Sequence, residues 1–310
     1  MTSHASISNA ITDASAMRDG RIALFDIGSN SVRMVVFEPP YIGEPPIFNE
    51  KIMCGLGRDL ERTNRLNPEA KERTLRTLAG FKALCNAMDI TEIAAIATAA
   101  MRDAQDGEDF AQDIRTALDI PLKIISGEEE AELAALGVVA AFPKANGIVG
   151  DLGGGSLELA LLKKGHIGTK ITTRLGVLRV EARDNPDAYI TQNLEALPKD
   201  FAGKKNFYVI GGTWRALGQA LLMAKGKKNT DVHGLKIKAE TLIEFSQSMA
   251  DKPPAYFIKH FHFEQKRSEL MPIAAKLMTH MLPALAVKTV IVSTSGLREG
   301  LLQAYLDGRL

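Results

Sequence analysis

The stretch LFDIGSNSVRMVVFE, Leu24 to Glu38, decides how the chain is read. An apolar run ends in a carboxylate, passes through glycine and small polar residues, and resumes as apolar chain, the pattern of two strands joined by a tight turn. A second stretch, IVGDLGGGSLELALL from Ile148 to Leu162, has the same build. Adding 125 carries Asp26 to Asp151, Gly28 to Gly153 and Ser31 to Ser156. Repetition at that spacing predicts two related halves that face each other.

Outward from the first stretch, ALFDI, SVRMVVFE and IFNEKIMCGLG predict a β-meander from Arg21 to about Gly57. A helix follows: Asn67 is its expected N-cap, Pro68 lies in its first turn, and Leu75, Leu78, Phe81, Cys85 and Met88 recur at helical spacing. Strand EIAAIATAA, helix EDFAQDIRTAL, strand LKIIS, helix EEEAELAALGVVAAF and strand GIVGDL then alternate, which predicts a parallel sheet covered by helices. Beyond Gly150 the plan restarts with the hairpin SLELALLKKGHIGTKITTRL, a helix near Tyr189 to Leu197, strand NFYVIGG and helix WRALGQALLMA. After Gly234 the chain reads as mostly helical, with methionines as core filler, before a last strand TVIVSTSG and helix LREGLLQAYL.

A chain of 310 residues, 45% apolar and 24% charged, suits about two globular domains. Lys and Arg number 38 against 37 acids, so no global basic field exists and any polyanion must be held locally. Cys54 and Cys85 read as buried thiols of a reducing compartment. Residues 1–20 read as a flexible tail with no secretory signal. No apolar run approaches a membrane span, and the expected location is the cytoplasm.

Turns of glycine, serine and asparagine present backbone N–H groups to an anion because small residues allow close approach. Gly28, Ser29, Asn30 and Ser31 have the composition of one such cradle, but alone they read first as a plain hairpin turn. Gly153, Gly154, Gly155 and Ser156 form the second, where three glycines are costly unless a ligand or backbone needs the room. The preceding carboxylates, Asp26 and Asp151, make sense beside an anion only through a divalent cation. A P-loop is absent, and the dinucleotide pattern fails at Glu158 and at Leu60.

A third turn, Gly211, Gly212 and Thr213, stands between a strand and a helix, a place suited to an anion or to ordinary loop chemistry. In ISGEEEAELAAL, Ser126 and Glu129 have the spacing of a capping box. Glu130 has no such role, Ala134 and Gly137 leave space beside it, and it is a candidate general base. Arg102 follows a strand at the expected carboxyl edge of a parallel sheet, where an arginine can bind phosphate, but read alone it is more often a solvated surface charge, and Arg33, Arg267 and Arg298 share that ambiguity. His260 and His262 have a metal-compatible spacing on a strand but lack a third ligand, which favours a surface role. Trp214 reads as packing.

Taken in order, ALFDIGSNSVRMVVFE, ATAAMRDA, ISGEEEAELAALGV, VGDLGGGSLELALL, VIGGTWRALGQAL and STSGLREGLL resemble the exopolyphosphatase and guanosine pentaphosphate phosphohydrolase (Ppx/GppA) family. The resemblance implies an α/β fold of two ribonuclease-H-like domains of the actin, Hsp70 and sugar kinase superfamily, with mixed sheets and helices, flanking a cleft. It implies domain I over 21–135 joined by the helix 297–310, domain II over 136–296, and the short two-domain form. The implied reaction is hydrolysis of a terminal phosphoryl group from inorganic polyphosphate or guanosine pentaphosphate with Mg2+.

By motif, Glu130 matches the water-activating residue, and Asp151 and Glu158 match acids tied to metal and water; with Asp26 these are the expected metal carboxylates. Gly28 to Ser31, Gly153 to Ser156, Gly211 to Thr213, Arg102 and Arg267 are the implied phosphate contacts. Leu157 and Ala99 stand where the family commonly has hydroxyls, and RSELMPIAA keeps only part of an arginine-containing segment. The resemblance implies neither DNA nor a membrane as partner and admits a homodimer. Rivals are an ATP-dependent kinase or ATPase of the same superfamily, and a guanosine tetraphosphate-binding regulator with little catalysis.

Overall fold

The computed structural model describes residues 20–41, 44–227 and 231–309; of the tail expected over residues 1–20, all but Gly20 lies outside them. The chain divides into two units, the first running to Ser126 and resuming at Leu301, the second spanning Gly127–Gly300.

In unit 1, β1 (Ile22–Ile27), β2 (Ser31–Phe37) and β3 (Phe48–Met53) form the expected antiparallel meander. Strand β1 also pairs in parallel with β4 (Glu92–Ala97), and β4 with β5 (Leu122–Ile124), so the order is β3-β2-β1-β4-β5. After the short α1 (Leu60–Thr63), α2 (Pro68–Ala87) starts where expected, its N-cap Asn67 accepting from the Ala70 amide at 3.0 Å. Its Leu78, Phe81 and Cys85 join Phe25 in the core. Helices α3 (Ala99–Asp103) and α4 (Gly107–Leu118) complete this half. Cys54 and Cys85 are buried free thiols, and burial, against the pull of the Lys82 ammonium, pushes Cys85 up to about 11.

Unit 2 opens with α5 (Gly127–Ala141), then β6 (Gly147–Leu152), β7 (Leu157–Lys163) and β8 (His166–Thr173). Next come α6 (Val177–Glu181), α7 (Pro186–Glu195), β9 (Asn206–Ile210) and α8 (Gly212–Ala224). The chain continues through β10 (Lys236–Lys238), α9 (Ala239–Ala250), α10 (Pro254–Phe261), α11 (Gln265–Leu285), β11 (Thr289–Val292) and α12 (Leu297–Leu306). The sheet order β10-β11-β9-β6-β7-β8 repeats the first sheet, with β8-β7-β6-β9-β11 standing for β3-β2-β1-β4-β5 and β10 added at the edge. Shifting β1 by 125 lands on β6 end to end. Each sheet mixes an antiparallel meander with parallel strands, the ribonuclease-H-like plan.

Two expectations need correction. The chain divides at Ser126/Gly127, not after residue 135, and again after Gly300, inside α12 rather than ahead of it. The whole of α5 lies on β6, β7 and β8 because its first glycine lets it settle onto Thr172: a Cβ at Gly127 would sit 2.3 Å from the Thr172 Cγ2. His260 and His262 are not on a strand. Phe257 and Phe261, four apart and buried, make this segment α10; His260 lies beside Tyr256 at 4.3 Å, and His262 ends the helix in a left-handed conformation. Trp214 and Met271, Met278 and Met281 fill the core of unit 2 as expected.

Candidate active site

Unit 2 gathers three carboxylates. Asp151 and Glu158 are direct partners across the antiparallel pair β6 and β7, on one face of the sheet. The first turn of α5, which packs on those strands, brings Glu130 close enough to act on Glu158. Glu158 is 2% exposed and Glu130 7% exposed. Burial and the Glu130 carboxylate drive the Glu158 carboxyl well above its ordinary range, and Asp151 adds to this; hydrogen bonds from Ser156 and Thr172 oppose it. The Thr172 hydroxyl on β8 donates to Glu158 Oε1 at 2.8 Å. Like charges crowded in this way favour a proton or a cation among them.

Gly137 does not leave room beside Glu130. A Cβ there would lie 2.0 Å from the Gly296 carbonyl oxygen, and one at Gly300 would lie 1.7 Å from that of Leu133. Both glycines let α5 meet the start of α12 backbone to backbone, which fixes the helix carrying Glu130.

The turns of the two repeats close in the same way. Gly28 N–H donates to Ser31 O at 2.9 Å and Gly153 N–H to Ser156 O at 3.0 Å, so these two amides shape the turn. The carbonyls are then pinned by the segment after the third strand of each meander, a loop in unit 1 and the start of α6 in unit 2. Gly57 N–H holds Ser29 O at 2.7 Å, and Leu178 N–H holds Gly154 O at 2.9 Å. Adding 125 to Ser29 and 121 to Gly57 turns the first bond into the second, and the same shift carries GLGR at Gly55–Arg58 onto GVLR at Gly176–Arg179. Val177 N–H also holds Gly153 O at 3.1 Å, and a Cβ on Gly176 would sit 2.2 Å from the Gly155 carbonyl carbon. This pinning segment shapes both turns, and its signal in the sequence is the second, shifted repeat of glycine and arginine.

The third turn joins β9 to α8. Gly211 takes φ +99°, a left-handed conformation where a Cβ would meet Leu152 O at 2.5 Å. Beside Gly212 the space is open, and Thr213 stands in the first turn of a helix of 13 residues, where amides favour an anion. Arg267 is exposed in the first turn of α11.

Unit 1 holds the other expected residues. Ser29 is buried, while Gly28, Asn30 and Ser31 are half-buried. Asp26 lies directly opposite Arg33, whose Nε donates to Asn49 Oδ1 at 2.7 Å. Adding 125 makes Arg33 the counterpart of Glu158, so the aspartate faces a cation in one repeat and a second acid in the other. Arg102 sits after β4, in the parallel part of the sheet; its Nη1 donates to Ile125 O at 3.2 Å and its Nε lies 3.7 Å from Asp103. Ala99 and Leu157 are both buried. Among the described residues no three His, Cys, Asp or Glu side chains form a cluster that would hold a metal by themselves.

The sequence profile described as "Ppx/GppA phosphatase family" matches residues 41–308. The chain is 25% identical to Exopolyphosphatase 1 of Mycobacterium leprae over 311 aligned residues, covering 93% of this chain and 90% of that protein. It is 31% identical over 214 residues to a bifunctional 3-dehydroquinate synthase/phosphatase of Fusobacterium nucleatum, spanning 61% of this chain but about a third (32%) of that protein. Solved structures share the fold: a Ppx/GppA family member of Aquifex aeolicus (TM-score 0.76, 24% identity, 93% and 98% covered) and an exopolyphosphatase of Cytophaga hutchinsonii (TM-score 0.82, 21% identity, 93% and 98% covered).

Proposed function

The chain belongs to the Ppx/GppA phosphatase family, and from that premise we propose that it is a phosphoric anhydride hydrolase, an exopolyphosphatase that removes the terminal phosphoryl group of inorganic polyphosphate. The observation that carries this reading is the acid cluster: Glu130 on a fixed helix beside the opposed Asp151 and Glu158, next to the glycine turn 153–156.

Glu130 orients the attacking water and takes its proton, general-base work for which a buried carboxylate among apolar helix neighbours is suited. The turn amides of Gly154 and Gly155, together with the start of α8 at Gly212 and Thr213, supply fixed dipoles to phosphoryl oxygens. Ser156 and Thr172 hold Glu158 in place. A divalent cation such as Mg2+ fits Asp151 and Glu158, since Mg2+ needs only one or two protein carboxylates beside phosphate oxygens and water. When bound it would offset charge on the phosphoryl oxygens. Arg33 opposite Asp26 already supplies positive charge, so we assign the metal to Asp151 and Glu158. In unit 1, Gly28 to Ser31 and Arg102 are assigned phosphate contacts by the same turn chemistry. Two free buried thiols fit a reducing compartment such as the cytoplasm.

Guanosine pentaphosphate presents the same terminal anhydride, and the full-length similarity to a protein named as an exopolyphosphatase favours the polymer. Phosphate release from polyphosphate, guanosine pentaphosphate and ATP, each with and without Mg2+, tests the reading. Release from polyphosphate that needs the cation is expected. Turnover of ATP alone would replace the reading with an ATPase, and tight guanosine tetraphosphate binding without any release would replace it with a sensor.

A further inference from the structure

We propose that Arg215 and Arg298 form a second oxyanion position in unit 2, which takes a phosphoryl group of the substrate other than the one under attack. The proposal rests on the hydrolase reading for its ligand, and on the fold for its place. Strands β6, β9 and β11 run side by side in parallel, and the carboxyl ends of such strands are where α/β folds bind ligands. The end of β6 supplies Asp151. From the ends of β9 and β11, α8 and α12 start after short turns, and each carries an arginine in its first turns, Arg215 and Arg298.

A third arginine comes from Arg267 at the start of α11, a helix packed against α8 and anchored to it where Trp214 Nε1 donates to Ala274 O at 3.4 Å. None of the three guanidinium groups has a hydrogen-bond or ion-pair partner among the described residues. Glu299, the acid adjacent to Arg298, is committed elsewhere: its Oε2 accepts from the Gly296 amide at 2.7 Å and so caps α12.

The arginines are close enough to act on one another. Burial first, then the charges of Arg298 and Arg267, lower Arg215 from its ordinary value, while Glu299 and Asp151 only partly offset this. Like charges held together without an acceptor are an arrangement that a multiply charged anion relieves. Guanidinium groups bind phosphoryl oxygens through paired N–H bonds. Arg215 also feels Asp151, so the position adjoins the acid cluster and suits the next phosphates of a chain. The open space beside Gly212 gives a ligand room at the same edge.

The test measures binding by calorimetry in the full-length Glu130→Gln protein, which keeps ligands intact, using inorganic tripolyphosphate and guanosine tetraphosphate as separate probes. Arg215→Met and Arg298→Met should each weaken tripolyphosphate binding about tenfold or more, with Arg215→Lys losing less. In the turnover-competent protein the same variants should raise KM with kcat little changed. A loss seen only with guanosine tetraphosphate supports the position and assigns it to a nucleotide phosphate. Unchanged binding of both probes to folded Arg298→Met and Arg215→Lys overturns the proposal, whether or not Arg215→Met folds. If the unsubstituted protein releases no phosphate from any substrate while the variants still lose tripolyphosphate, the position stands and the hydrolase reading falls.

Discussion

The difference between Arg33 and Glu158, counterparts in a duplicated hairpin, separates a strand pair that sets a cation opposite its aspartate from one that sets a second acid there. A buried carboxyl held well above its ordinary range by burial and by Glu130 costs stability, a cost that the proposed role of Glu158 would account for. Glu158→Gln should therefore melt at the same or a higher temperature without added cation, while phosphate release falls at least about 100-fold; a thermal scan beside the assay checks both. Asp106 shows the opposite balance. Burial pushes its carboxyl up, but the Leu66 amide at 2.9 Å and the Lys71 ammonium at 3.3 Å outweigh this and leave it lowered. A lowered acid contributes stability that is present above its unfolded value of about 3.9 and is lost as pH falls through the folded value. Asp106→Asn should cost about 1–3 kcal/mol at neutral pH, and the gap to the unsubstituted protein should close as pH drops below about 4 in urea titrations.

At the scale of elements, backbone contacts carry much of the site. A Cβ at Gly176 would lie 2.2–2.3 Å from Gly155 and Ser156, so Gly176→Ala should push the glycine turn aside, costing about 1–3 kcal/mol and at least about tenfold in kcat. Gly80→Ala is its contrast: mid-helix, exposed and with open space around it, the substitution should raise stability by up to about 1 kcal/mol and leave activity alone. These contacts also mark what was legible in the sequence. The strand alternation around Asp26 and Asp151, the Asn67 cap and the helical spacing of α2 are carried by side-chain patterns and were readable. The pinning of the turns by residues 54–57 and 176–178, and the meeting of α5 with α12 at Gly137 and Gly300, involve backbone against backbone and leave no apolar rhythm. Strand β10 leaves no sequence signal because three residues, Lys-Ile-Lys, are too short to show alternation, and the His260/His262 interval, which mimics a strand, masks the helical Phe257/Phe261 spacing of α10.

Across the whole molecule, one sheet order occurs twice, and both boundaries of unit 2 fall so that α5, the meander and the turn after β9 stay in the same unit. Glu130, Asp151 and Glu158 thus form a preassembled cluster, because a single sheet and the helix lying on it position all three. Removal of Mg2+ by a chelator should abolish phosphate release reversibly while leaving the circular dichroism spectrum of the folded protein unchanged. The most direct measurement is the rate of phosphate release from long-chain polyphosphate at saturating Mg2+ by the unsubstituted protein and by Glu130→Gln. The account predicts a fall of about 100-fold to 10,000-fold with the melting temperature preserved; a Glu130→Gln protein that turns over polyphosphate at the unsubstituted rate would contradict it.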